Sequence, residues 1–251
     1  MRVLLEICVD DAAGIDAAMA GGADRLELCS ALELGGLTPS AALLDRAVGS
    51  GIPIHAMIRT RSGGFVLHDG DLPLMVEEVK LALARGAAGV VVGALLPDGQ
   101  LDRDALAVLR DAADKGAIVL HRAIDLTPDP IAAVEQACLL GYDKILSSGG
   151  AATVAEGSAM LARMVQAAHG RLSVMPGSGV APENVGVLLA QTHAIEVHAS
   201  ASVADLPPDA AAVRLGFAKA GRRVTDEQSV RRLRRAIDAH QATFTAGETM
   251  R

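Results

Sequence analysis

Residues 22–29, Gly-Ala-Asp-Arg-Leu-Glu-Leu-Cys, contain the pattern that decides the fold. The first glycine is suited to end a helix, and the run that follows is short and strand-like. In that run Leu26 and Leu28 alternate with the polar or small residues Glu27 and Cys29. A strand that begins just after a helix-ending glycine is typical of a parallel sheet whose strands alternate with helices. The stretch therefore predicts one strand in such a sheet.

Seven further runs repeat this pattern, and each is followed by an Ala- and Leu-rich segment of helical character. Their starts lie 22 to 36 residues apart, which is enough for a strand, a crossover helix and two loops. Eight repeats in 251 residues predict an α/β protein with a single domain over residues 1–251, a (β/α)₈ TIM barrel. The eight predicted strands are residues 3–9, 25–30, 53–59, 89–94, 117–122, 144–149, 172–177 and 194–199.

Two predicted connections are unusually long, residues 60–71 and residues 201–224. Both follow the C-terminal ends of strands, and in TIM barrels that end carries the active site. We therefore expect both loops on the C-terminal face, as lids, substrate walls or subunit contacts.

Capping residues mark the starts of several predicted helices. Asp129 precedes Pro130, a residue suited to the first helical position. Thr225 and Gln228 have the spacing of a capping box and predict the start of the last helix.

The composition argues against two classes of partner. The chain has a net charge of −7, no Trp, one Tyr and three Phe, so it has little with which to neutralise phosphates or stack on bases. Its longest apolar stretch, residues 86–96, is too short to cross a bilayer. We expect neither a nucleic acid nor a membrane as a partner.

The cysteines and the N-terminus predict a reducing compartment. Cys8, Cys29 and Cys138 are too few for a disulfide framework, so we expect free thiols. The first residues lack the features of a secretory signal. Both observations predict a cytoplasmic location.

Polar residues occupy every second position in several predicted strands. Successive side chains of a strand point to opposite faces, and the apolar set must face the helices, so the polar set should face the barrel axis. These inward positions are Glu6 and Cys8, Glu27 and Cys29, His55, Met57 and Arg59, and Glu196, His198 and Ser200.

The three inward glutamates need partners, because an unpaired buried carboxylate is costly. One interpretation is a buried ion-pair network that fills the barrel. The other is a small-molecule site, which the convergence of so many charges on one mouth favours. The available cations are Arg59, Arg61, Arg122, His55, His121 and His198.

A histidine and a carboxylate follow the fifth strand. His121 and Asp125 are four residues apart, an even spacing that would place both side chains on the same face of a continued strand. A histidine beside a carboxylate is suited to proton transfer at neutral pH. The alternative is a core histidine whose hydrogen bonds are satisfied within the protein. The candidate catalytic residues are therefore Glu6, Glu27, Arg59, His121, Asp125 and His198.

A second candidate site follows strands seven and eight, where barrels often bind phosphate. The turn Gly177-Ser178-Gly179 leads into a helix start, so backbone N–H groups and the helix dipole could hold an anion there. An ordinary glycine turn is the alternative. The candidate anion-binding residues are Arg61, Arg122, Ser148, Gly177, Gly179 and Ser200.

Several short sequence segments between about residue 4 and about residue 200 together resemble those of the CutC family, often called copper homeostasis proteins. The chain departs from the family pattern at Leu67, where a tyrosine is expected, and at Gly150, where a polar residue is expected. The matching segments are residues 5–8, 22–29, 35–40, 58–61, 121–125, 177–180 and 196–198.

The resemblance implies a (β/α)₈ barrel in the cytoplasm, a homo-oligomer such as a dimer or tetramer, and a role in copper handling with Cu(I) as the ion. Cu(I) prefers sulfur ligands, so Cys8 and Cys29 are the candidate metal ligands, with Met57 or His55 as a third. Packing as small buried hydrophobes is the alternative for both thiols.

Two other functions remain open beside copper binding. One is an enzyme that uses acid/base chemistry on a small anionic or phosphorylated substrate. The other is a binding scaffold without chemistry, which leaves the buried charges unexplained. A barrel fold does not decide among them.

Overall fold

The eight predicted strands form one parallel sheet in a computed structural model that describes residues 2–206, 209–217 and 221–248. The strand order is β7-β6-β5-β4-β3-β2-β1-β8, and β7 packs beside β8, so the sheet curls into a near-closed barrel. Every strand lies within two residues of its predicted limits. The strands are β1 (Leu4–Val9), β2 (Arg25–Leu28), β3 (Ile54–Met57), β4 (Gly89–Val92), β5 (Ala117–Leu120), β6 (Lys144–Ser147), β7 (Ser173–Pro176) and β8 (Glu196–Ala199).

Helices alternate with the strands and surround them, which confirms the TIM-barrel prediction. No described helix is both long enough and apolar enough to cross a bilayer. The last long helix packs against the first and the seventh, so it completes the outer ring. The helices are α1 (Ala12–Gly21), α2 (Ala41–Val48), α3 (Asp71–Ala84), α4 (Arg103–Ala113), α5 (Pro130–Leu139), α6 (Val154–Ala168), α7 (Val185–Thr192), α8 (Ala210–Arg214) and α9 (Glu227–Glu248), with short 3₁₀ helices at Leu32–Leu34 and Arg122–Leu126.

One predicted helix cap is confirmed and one is wrong. The Asp129 carboxylate accepts two backbone N–H bonds at the start of α5, as expected. At the start of α9 the cap is Asp226, whose carboxylate accepts from Ser229 N–H at 2.7 Å. Thr225 lies one residue before this cap, at the end of a short strand, and its hydroxyl donates to Cys8 O.

The connection over residues 201–224 contains regular structure that the sequence pattern did not predict. Strands β9 (Ser202–Ala204) and β10 (Arg223–Thr225) pair in antiparallel fashion, with α8 between them. Strands of three residues are too short to carry a recognisable alternation of polar and apolar residues. Residues 207, 208 and 218–220 of this predicted loop lie outside the described residues. A shared face for this connection and residues 60–71 stays a prediction.

The apolar core has two parts. The larger part lies between the sheet and the helices and contains the outward-facing aliphatic residues of every barrel strand. A smaller apolar cluster is separate from it, and its members come from strands β3 to β7 and from the residue that follows β2. This cluster places one thiol, that of Cys29, among apolar neighbours next to the charged groups of the barrel. Its buried members are Cys29, Met57, Val91, Val119, Leu146 and Met175.

Candidate functional site

Glu6 on β1 belongs to a buried charge network. Its Oε2 accepts from Arg25 Nε at 2.5 Å, and its Oε1 is 2.8 Å from His198 Nδ1 on the neighbouring strand β8. His55 Nδ1 lies 3.3 Å from Oε2. Burial alone would raise the pKa of Glu6, but Arg25 and the two histidines outweigh it and hold the pKa well below its usual value.

Glu196 is held by two cations that the sequence analysis did not include. Arg25 Nη2 donates to Glu196 Oε2 at 2.6 Å, and Lys144 Nζ donates to Oε1 at 2.9 Å. Burial favours the neutral acid, but these two cations lower the pKa of Glu196. Glu6 and Glu196 therefore belong to one satisfied ion network centred on Arg25.

Glu27 on β2 differs from the other two glutamates. Its Oε1 accepts a weak bond from the Cys29 thiol at 3.6 Å, and its Oε2 has no hydrogen-bond partner among the described residues. Burial raises the pKa of Glu27 to about 7, against the lowering effect of His198. This carboxyl is the one inward glutamate with free coordinating capacity.

The two inward thiols lie beside Glu27 and His198. Cys8 is opposite Glu27 in the β1–β2 register, and its Sγ is 3.7 Å from Ala199 O. Cys29 is fully buried next to Glu27. Burial raises the pKa of Cys29 well above its usual value, and the charges of Glu27 and Cys8 raise it further. Both thiols are free, as is Cys138.

Arg59 ties together the loops that follow β2 and β3. Its Nη1 donates to Leu34 O at 2.9 Å and to Gly36 O at 3.0 Å, and its Nη2 donates to Gly63 O at 2.6 Å. The guanidinium also lies over the Phe65 ring, 5.0 Å from its centroid. Arg59 therefore fixes two loops near Cys29 and does not contact the inward glutamates in any described bond.

His121 is a buried neutral imidazole. Its Nδ1 accepts from Ala123 N–H at 3.1 Å, and its Nε2 has no partner among the described residues. The ring packs against Phe65, with centroids 4.7 Å apart, and against the backbone of Gly93. Burial lowers the pKa of His121 to about 4.

Asp125 binds the loop after β6, and no described hydrogen bond joins it to His121. Its Oδ1 accepts from the Ser147 hydroxyl at 2.6 Å and from Gly150 N–H at 3.1 Å. Its Oδ2 accepts from Arg122 Nε at 2.8 Å and from the Ser148 hydroxyl at 2.9 Å. This carboxylate therefore holds a turn, and Arg122 and Ser148 are part of the same network.

Each of the remaining anion-binding candidates has a hydrogen-bond partner within the protein. Gly177 N–H already donates to Ser147 O at 2.9 Å, and Gly179 O accepts from Asn184. The Ser200 hydroxyl is 3.1 Å from that of Ser202. Arg61 bonds to Asp71 and to the backbone of residue 66.

A family model described as the CutC family matches residues 3–203. Curated CutC family proteins of Agrobacterium fabrum and Sinorhizobium medicae are each 47% identical to this chain. The alignments cover 95% of this chain, and 95% and 97% of those proteins. The chain belongs to the CutC family.

Solved structures agree with this CutC assignment. A crystal structure described as the putative copper homeostasis protein CutC from Streptococcus agalactiae has a TM-score of 0.76 and 28% identity. The alignment covers 79% of this chain and 99% of the Streptococcus agalactiae chain. Phosphoribosyl anthranilate isomerase from Thermotoga maritima has a TM-score of 0.57 at 13% identity, over 95% of this chain and 100% of that one, which shows the barrel fold alone.

Besides Lys144, sequence reasoning missed Arg25, a buried residue of this CutC chain. Arg25 precedes Glu27 by two residues and Cys29 by four, so the same period-two argument could have placed its side chain inside the barrel. Its guanidinium bridges Glu6 and Glu196 and contacts Met175 Sδ at 3.3 Å. The cations that pair with Glu6 and Glu196 therefore lie mainly on barrel strands and not on the loops that follow them.

Three residues of this CutC chain could hold a metal ion together. Glu6, Glu27 and His198 each offer a ligand atom, and these atoms lie within 4.8 Å of one another. All three residues are buried. The thiols of Cys8 and Cys29 border this group, so the mouth offers soft and hard ligands side by side.

Proposed function

We propose that this CutC-family chain is a copper homeostasis protein that binds Cu(I) through Cys8 and Cys29. The supporting observation is a pair of buried free thiols, one on β1 and one directly after the neighbouring β2, close enough for the charge of Cys8 to raise the pKa of Cys29. Cu(I) prefers soft sulfur ligands. Cys8 is opposite Glu27 in the β1–β2 register and Cys29 lies two residues further along, so the ion would bridge diagonal neighbours.

The surroundings of the thiols also favour a metal over simple packing. A small buried hydrophobe needs only apolar neighbours, whereas Cys29 contacts the Glu27 carboxyl and Cys8 lies beside the His198 ring. Thiolates are the species that bind the ion, so binding releases protons. The Glu27 carboxyl, whose pKa is raised to about 7 by burial, can accept a proton.

The proposal includes a reducing, cytoplasmic location and a homo-oligomer, either a dimer or a tetramer. Free thiols persist in reducing compartments. The connection after β8 exposes large apolar residues, among them Leu206, Leu215 and Phe217, which are suited to a contact between subunits.

The test is a competition titration against a Cu(I) chelator under reducing conditions. Cys8→Ser and Cys29→Ser should each lose affinity by at least about tenfold, because one of two sulfur ligands is gone. Cys138→Ser is the matched control, since this thiol lies on α5, away from the inward strand positions. Equal affinity in all four proteins would remove the site.

A second candidate function is acid/base catalysis on a small anionic or phosphorylated substrate. Glu27 supports it, because a carboxyl with a pKa of about 7 and a free oxygen can both donate and accept a proton at neutral pH. Arg122, Ser200 and the backbone of Gly179 are the remaining candidates for the anion. Inorganic phosphate should then raise the melting temperature of the protein but not of Arg122→Gln; no shift in either protein would count against this function.

A further inference from the structure

Three metal-capable side chains lie on three neighbouring strands of the barrel. Glu6 is on β1, between Glu27 on β2 and His198 on β8. Each of them offers one ligand atom, and these atoms lie within 4.8 Å of one another. The His198 side chain is 10% exposed and that of Glu6 is 1% exposed, so the imidazole is the member closer to solvent.

Glu6 and His198 already share a contact of the length found between neighbouring ligands. Oε1 and Nδ1 are 2.8 Å apart and joined by a hydrogen bond. Two donors of one octahedral ion lie about 3.0 Å apart when each bond is about 2.1 Å long. The other oxygen of Glu6 accepts from Arg25 Nε at 2.5 Å, and the Cys8 thiol lies beside the imidazole. An ion that replaced the shared proton would therefore find both ligands oriented by outer partners.

Glu27 supplies the unsatisfied group of the cluster. The residue is 3% exposed, and its Oε2 atom is buried with no hydrogen-bond partner among the described residues. Its Oε1 is held by the Cys29 thiol at 3.6 Å, which leaves Oε2 free to bind an ion. A buried carboxylate oxygen without a partner is costly, and a bound cation relieves that cost. This orphaned atom indicates a cation independently of the spacing of the three residues.

We propose that Glu6, Glu27 and His198 form a three-ligand site for a divalent first-row transition ion, with Mn²⁺ and Zn²⁺ as the test ions. The donors are two carboxylate oxygens and one imidazole nitrogen. Carboxylates suit Mn²⁺, Mg²⁺ and Ca²⁺, whereas the imidazole favours transition ions over the last two. Cu(I) prefers sulfur, so this site is separate from the thiol pair and does not depend on the Cu(I) proposal.

The charges around the cluster predict what the bound ion would hold. Glu6 and Glu196 are neutralised by Arg25 and Lys144, whereas the only described hydrogen bond to Glu27 comes from a neutral thiol. Because His198 must be neutral to bind an ion, a divalent ion neutralises Glu27 and leaves one positive charge. Three protein ligands leave a coordination position open. An anionic oxygen, from hydroxide or from a small carboxylate or phosphate, should occupy it.

Mn²⁺ alone is the first probe, added to the reduced full-length protein. Binding is followed by the loss of the electron paramagnetic resonance signal of the free ion. We expect one ion per chain and displacement by Zn²⁺. Ca²⁺ should bind at least about tenfold more weakly than Mn²⁺, because imidazole is a poor ligand for it. Equal affinity for Ca²⁺ and Mn²⁺ would overturn the site, since acidic groups alone bind both ions.

Co²⁺ is the second probe and tests whether the thiols of Cys8 and Cys29 take part. With oxygen and nitrogen ligands alone, the bound ion should give visible bands but no near-ultraviolet band from thiolate ligation. A thiolate band would show that a cysteine binds the ion and would overturn the three-ligand site.

The variants Glu27→Gln and His198→Gln each remove one ligand. Each should weaken Mn²⁺ and Zn²⁺ binding by at least about tenfold, the loss that even an outer partner of a ligand typically causes. The melting temperature of each variant without metal shows that it folds. Glu78→Gln is the matched control, since Glu78 is half-buried and bonds Thr38.

Glu27→Gln is the decisive variant, because the amide has nearly the shape of the carboxylate and breaks no described ion pair. Wild-type affinity for Mn²⁺ in this variant would refute the site. Its Cu(I) affinity should change only a few-fold, and loss of Cu(I) together with Mn²⁺ would refute the separation of the two sites. Unchanged Cu(I) affinity in Cys8→Ser and Cys29→Ser would refute the Cu(I) proposal and leave the three-ligand site standing.

Discussion

Glu6 and His198 are paired directly across the first and last strands of the barrel, with Oε1 and Nδ1 2.8 Å apart. The pair joins two positions that are 192 residues apart in the chain. The other oxygen of Glu6 is held by Arg25, so the imidazole is fixed to a carboxylate that is itself fixed. The same contact therefore joins the first and last strands of the barrel and orients His198, a candidate ligand.

We expect Glu6→Gln to lower the free energy of unfolding by about 3 kcal/mol, since removing one member of a buried ion network leaves Arg25 underpaired. The pKa of Glu6 is lowered in the folded state, so its contribution is present above the usual value of 4.5 and is lost as pH falls below it. Urea unfolding at several pH values should therefore show wild type and variant converging in acid. Glu77→Gln, an exposed control, should change stability little.

Glu27→Gln should have the opposite effect on stability. Burial raises the pKa of Glu27 to about 7, so the stability of the wild type falls as pH rises from the usual value of 4.5 through 7. We expect the variant to melt a few degrees higher than wild type at pH 8 and to lose this advantage at pH 5. Thermal melts of both proteins in the absence of metal measure this. A variant less stable than wild type at pH 8 would contradict the conclusion that the Glu27 carboxylate is ionised and unpaired at that pH.

The affinity for Cu(I) should fall as pH falls. Burial raises the pKa of Cys29 well above its usual value, so this thiol is protonated at neutral pH and the ion must displace its proton. The apparent affinity should drop about tenfold per pH unit for each proton released. Titrations between pH 6 and 8 should show that Cys29→Ser has a shallower slope than wild type, with Cys138→Ser as the control. A slope that is unaffected by Cys29→Ser would exclude Cys29 as a ligand.

Gly93→Ala should displace the ring of His121. An added Cβ would lie 2.2 Å from His121 Cε1 and 2.5 Å from Nδ1, so the ring must move and its bond with Ala123 N–H must break. We expect a loss of about 1 to 3 kcal/mol in the free energy of unfolding. Gly64→Ala is the control, because its added Cβ meets no atom within 4 Å. Equal stability of the two variants would show that the ring is not tightly packed.

The period-two argument worked where a strand was continuous. It predicted that polar residues of neighbouring strands would meet inside the barrel, and Glu6, Glu27 and His198 do lie together. After β5, where the argument had paired His121 with Asp125, no described hydrogen bond joins the two residues. The strand ends at Leu120 and a 3₁₀ helix begins at Arg122, so the alternation that the argument assumed stops before Asp125.

The sequence by itself determined the barrel and its eight strands, because alternation and helix-ending glycines are local properties of the chain. Only the tertiary structure decided which charges pair. Arg25 bridges Glu6 and Glu196 across three strands, and Glu27 is left with an unpartnered oxygen. The reason is physical: parity states which way a side chain points, whereas pairing depends on strand register, side-chain length and competition among neighbours within a few ångströms.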